Sequence, residues 1–65
     1  MILHRSNPPA AREARVLQIW ERRALTHPQG TRGHILICLV NLAASHEALG
    51  DHAQARRYAQ RAATL

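Results

Sequence analysis

An all-α fold of three helices is what this sequence predicts, and three observations carry the prediction. Apolar residues recur at helical spacing from about residue 9 to 26. An apolar segment then runs from Ile35 to Ala44 and closes on Leu49-Gly50-Asp51. Beyond that turn, Ala55, Ala59 and Ala62 fall on one face of a further helix. No alternation of apolar and polar residues suggests a strand.

Taken in order, residues 1–7 lack periodicity and are expected to form a flexible arm, so that the domain spans 8–65. Asn7-Pro8-Pro9 reads as a helix start, with Asn7 as cap and Pro8 at the first helical position, where a missing N–H costs nothing. The first helix, about 9–26, places Val16, Leu17, Trp20 and Ala24 on one side and Arg12, Arg15 and Arg22 nearly opposite. His27-Pro28-Gln29-Gly30 is expected to end it, because proline biases its predecessor away from helix and glycine suits a turn.

The second helix is expected over about 32–49, with Gly50 as its left-handed terminator. Apolar residues surround most of its axis and leave only a narrow polar line of His34, Asn41 and Ser45. A helix so apolar is covered on more than one side. Asp51 caps the third helix, about 52–64, with Ala55, Tyr58, Ala59, Ala62 and Leu65 expected inward and Arg56, Arg57 and Arg61 outward.

Sixty-five residues allow one small domain. Such a chain buries only about 60% of its unfolded surface, so its stability is marginal without a staple or a partner. The single cysteine, Cys38, excludes an intrachain disulfide. Met-Ile-Leu-His is too short for a signal-peptide core, and the run from Ile35 to Leu42 falls far below the roughly 20 residues that span a bilayer. A cytoplasmic protein with no membrane span is expected. The formal net charge is +5, and all nine Lys/Arg positions are arginine. Arginine-favouring codon usage accounts for the choice over lysine; the charge itself attracts anionic partners.

The stretch from Leu39 to Ala62, L-x-N-L-A-x-x-H-x-x-L-G-D-H-x-x-A-x-x-x-A-x-x-A, resembles one unit of the tetratricopeptide repeat (TPR) family. The second and third helices then form a complete repeat as an antiparallel hairpin. The first resembles the latter half of a preceding one, with Leu17, Trp20 and Ala24 mirroring Ala55, Tyr58 and Ala62. Asn41-Leu42-Ala43 is similar to the start of kinesin-light-chain-like units. Departures are His46 and His52, where aromatics are common, and Ala59 in place of Phe or Tyr. About one and a half repeats are fewer than a stack needs, so the chain is expected to self-associate or to belong to a larger array.

The resemblance implies a protein-interaction module or small adaptor that binds a peptide or partner helix. Its groove would be lined by Ile37, Val40, Asn41, Ala44 and Ala48. Asn41 would bond the main chain of the bound segment. Ile37 and Val40 stand where a carboxylate-binding groove would want cations, which favours an apolar or amphipathic ligand. The alternative is a small nucleic-acid or anionic-surface binder acting through Arg12, Arg15, Arg22, Arg56, Arg57 and Arg61.

No enzyme, cofactor or metal is expected. His34 and Cys38 are one helical turn apart, but two ligands do not make a site. His46 and His52 flank the turn and are expected to stack or cap. No nucleophile has an evident base, and no glycine-rich loop is placed to cradle phosphate.

Overall fold

Three helices form in the computed structural model, which describes residues 9–65: α1 (Pro9–Ala24), α2 (Pro28–Ala48) and α3 (His52–Ala63). The expected arm and the Asn7-Pro8 cap lie outside the described residues. The class is all-α, with no strand among the described residues. α2 packs against both other helices, whereas the α1 and α3 backbones do not approach one another. The result is a thin slab of 43 × 24 × 12 Å with α2 along its middle.

The core follows from that arrangement. Leu17 of α1 meets Ile35, Cys38, Leu39 and Leu42 of α2, and Leu42 is wholly buried. Ala10, Ala14, Trp20 and Ala24 close this cluster from α1, and Tyr58 and Ala62 close it from α3. Apart from Trp20 and Tyr58 these edge residues are alanines, which lets helix axes come near the short end of the usual 8–10 Å separation.

The boundaries correct the sequence reading in one instructive place. Pro28-Gln29-Gly30, expected to be a linker, is the first turn of α2. Proline at the first helical position loses no hydrogen bond and brings a helical φ. His27, kept out of the helical region by that proline, is the break at φ −135° and ψ 65°. Thr31, at 1% exposure, fastens the turn by donating its hydroxyl to the carbonyls of His27 (3.1 Å) and Pro28 (3.3 Å). α1 stops at Ala24, two residues early, and α3 at Ala63, one early.

Three residues expected inward face solvent. Val16 and Leu65 are more than a third exposed, and Ala59 is exposed on α3. Each sits at the rim of a stripe whose centre alone is covered, because one neighbouring helix shields only a narrow arc.

The α2–α3 turn is closed twice over. Gly50 adopts φ +82°, its N–H donates to the Glu47 carbonyl (3.0 Å), and the Asp51 N–H donates to the His46 carbonyl (2.8 Å). This is the Schellman arrangement. Asp51 then caps α3, its Oδ1 accepting from the Gln54 N–H at 3.3 Å.

Two substitutions test this account. Leu42→Ala should cost about 2–5 kcal/mol and leave little of the chain folded at room temperature. Ala55→Leu should overpack the α2–α3 contact by about 1–3 kcal/mol. Urea titration followed by circular dichroism checks both, with Leu25→Ala as the exposed control.

Candidate functional site

α2 carries two apolar faces on opposite sides of one helix. Ile35, Cys38, Leu39 and Leu42 form the buried face. At 100° per residue, Leu36, Ile37, Val40 and Ala44 point roughly the other way. There Leu36 is 42% exposed, Ile37 59% and Val40 52%. All five groove residues inferred from sequence, Ile37, Val40, Asn41, Ala44 and Ala48, are exposed along α2. Asn41 and Ala48 fall on the edge nearer α1, and Asn41 makes no side-chain hydrogen bond among the described residues.

Leu36 was absent from the sequence-derived groove and belongs to this face. Helical spacing from Val40, four residues on, is the signal that places it there. Beside it, Ala43 and Ala44 of α2 and Ala55 and Ala59 of α3 line an open trough whose polar end holds Glu47, His52 and Arg56.

His34, His46 and His52 are engaged by neighbours. His34 stacks on Trp20, with ring centroids 4.0 Å apart and planes within 5°. It therefore joins α1 to α2, in place of the polar line expected for it. His46 stacks on Tyr58 at 5.5 Å, joining α2 to α3. Its Nδ1 lies 3.5 Å from Asp51 Oδ2, outside hydrogen-bonding geometry, and is shut off from solvent. His52 Nδ1 is 2.9 Å from Glu47 Oε2 across the turn. Among the described residues no group of three or more His, Cys, Asp or Glu could hold a metal ion, and no helix is long and apolar enough to cross a membrane.

The arginines divide by role. Arg12, Arg15, Arg22 and Arg23 line the outer side of α1, and Arg56 and Arg57 are exposed on α3. Arg61, expected to face solvent freely, instead reaches across to pair with Glu21 of α1. Arg32 donates from the start of α2 to the main-chain carbonyl of Leu65. Both contacts join residues more than thirty positions apart, which local periodicity does not encode.

Cys38 is a core residue. Burial raises its thiol above the ordinary value, and the negative charges of Glu13 and Glu21 act in the same direction. It therefore stays protonated through neutral pH.

Comparison with protein-family models, curated proteins and solved structures finds no match to this chain.

The Cys38 environment predicts a pH dependence. A thiol whose folded pKa is raised adds stability that is complete below the unfolded value, about 8.5, and is lost as pH rises past it. The melting temperature of the wild type should fall through that alkaline window. Cys38→Ala should be less stable overall but lack this thiol-linked part of the decline, as parallel melts across the pH range would show.

Proposed function

We propose that this chain is a protein-interaction module whose outer α2 face receives a segment of a partner chain. The observation that carries the reading is the uncovered face of Leu36, Ile37, Val40 and Ala44, opposite a buried face of the same helix. Large apolar side chains that neighbour one another in solvent mark a contact surface when the surrounding residues are polar. The α2–α3 hairpin, with Gly50 at its turn, Ala62 packed on the core and Ala55 buried beside Ala43 and Ala44, supports a likeness to a tetratricopeptide unit. A chain of one and a half such units is completed by association.

Magnitudes shape what the occupant must be. Covering three half-exposed aliphatic side chains contributes about 3 kcal/mol. Losing rigid-body freedom on association costs about 4–15 kcal/mol. The stripe alone is therefore too small, and the occupant must also fill the trough of Ala43, Ala44, Ala55 and Ala59. The small side chains there admit a helix at close range. Asn41, on the rim, offers a donor and an acceptor to main-chain groups of an occupant. A second copy of this chain or a separate partner would satisfy the same geometry.

Light scattering over a concentration series tests the self-associating form. Ile37→Glu and Val40→Glu should shift association to higher concentration while leaving the melting temperature of the monomer within a degree or two, because both side chains are exposed. A chain that stays monomeric at high micromolar concentration and captures no apolar helical peptide would end the proposal. For peptide binding, Asn41→Ala should cost about 1–3 kcal/mol of affinity, whereas Arg56→Ala and Arg57→Ala should change it little. The reverse ranking, with a steep loss of affinity in salt, would favour nucleic acid.

A further inference from the structure

We propose that the outer face of α1 is a second docking surface, and that its partner is an acidic amphipathic helix. Four exposed arginines, Arg12, Arg15, Arg22 and Arg23, share this face with Ile19, which is 58% exposed, and Val16. Arg15, Arg22 and Arg23 stand four before, three after and four after Ile19, so each is its neighbour on the helix surface. Arg12 stands in the same relation to Val16. The two glutamates of α1, Glu13 and Glu21, are half-buried on the other side, and Glu21 is taken up by Arg61. The outer face thus carries four positive charges, no negative ones, and an apolar centre.

Folding does not account for this arrangement. The helix dipole explains Arg22 and Arg23 in the last turn. It opposes Arg12 near the N-terminal end, where no acidic residue occupies the first turn. Arg12 and Arg15, three apart, also repel each other at a cost of a few tenths of a kcal/mol. Ile19, 58% exposed, is not a member of the core. The Arg23 guanidinium lies 5.9 Å from the Trp20 ring centroid, a cation–π contact that draws it toward that edge of the face.

Charge complementarity selects the partner. A second copy, with four acidic residues in its whole sequence, offers no glutamate-flanked apolar stripe to match these arginines. The phosphates of a duplex would match the arginines but leave Ile19 and Val16 facing water. A helix with an apolar stripe flanked by glutamates covers both, its apolar residues on Ile19 and Val16 and its carboxylates on the surrounding guanidinium groups, which bind them in bidentate fashion.

The test uses three probes: a capped helical peptide of about five turns with a leucine stripe flanked by glutamates, a generic DNA duplex, and vesicles of phosphatidylcholine with phosphatidylserine. Binding is followed by calorimetry with the full chain. The peptide should bind best, and its affinity should fall about tenfold between low and physiological salt. Arg15→Glu and Arg22→Glu should each weaken it about tenfold or more, and Ile19→Ser about fivefold. Ile37→Glu on α2 should leave it unchanged, which separates this surface from the one above. Circular dichroism should show every variant folded, since all these positions are exposed. The proposal is overturned by absence of peptide binding, by tighter binding of the duplex or the vesicles, or by Ile19→Ser having no effect.

Discussion

Two helices must cover a third that is apolar around most of its circumference, and that constraint shapes the rest of the molecule. α1 and α3 each offer a narrow inner edge, made largely of alanine, and neither touches the other's backbone. Every apolar contact of consequence therefore passes through α2, and chiefly through Leu39 and Leu42. Among the described residues, the Glu21–Arg61 pair is the one polar side-chain contact that links the outer helices directly. An exposed pair of that kind is worth under about 1 kcal/mol. Two neighbours shield about half of a helix's circumference, so the other half of α2 stays open. The open face is the necessary complement of how the core is built.

Polar and aromatic contacts set the angles that apolar packing leaves loose. Alanine edges let helices slide, because small side chains interdigitate weakly. The Trp20–His34 stack fixes α1 on α2, and the His46–Tyr58 stack fixes α3 on it. The turn adds a third constraint. In a Schellman turn a hydrophobic contact commonly joins the residue two beyond the cap to one in the last turn. Here His46 and Asp51 occupy those places, and Asp51 also caps α3. One carboxylate thus ends one helix and begins the next, which explains how so short a linker reverses the chain.

What was legible in the sequence divides along the same line. The three helices, Gly50 as terminator and Asp51 as cap follow from local chemistry, and local chemistry is what a sequence displays directly. The start of α2 was misread because Pro28 and Gly30 carry two meanings. Proline breaks a helix from within but opens one at the first position, and only buried Thr31, bonded back to His27 and Pro28, decides between them. Periodicity found the α2 face through Ile37, Val40 and Ala44, yet passed over Leu36 as one of many apolar residues on an all-round apolar helix. Arg61 was read as solvated because Glu21 lies forty residues away in the chain. Stacking or capping was expected of His46, but its partner Tyr58 and the whole Trp20–His34 stack were missed for the same reason, since ring-on-ring contacts between helices leave no trace in spacing.

The two exposed surfaces differ in physics as well as in place. The α2 face is uncharged from Gly33 to Ser45, so contact there rests on removing apolar area from water, a force that salt does not screen and that carries a negative heat-capacity change. The α1 face rests on arginine charge around one isoleucine, a force that weakens as the Debye length shortens to about 8 Å at physiological ionic strength. A single variant on each side, Ile37 or Arg15, therefore perturbs one kind of contact and spares the other. α1 lies on the flank of α2 marked by His34 and turns its arginines away from it, so an occupant of one face need not displace an occupant of the other. Coupling between them would have to travel through the Leu17 and Trp20 contacts with α2. Those contacts are one ring stack and buried packing, and a path transmits coupling only where it has two discrete arrangements. Independent occupancy of the two proposed surfaces is the behaviour this architecture favours.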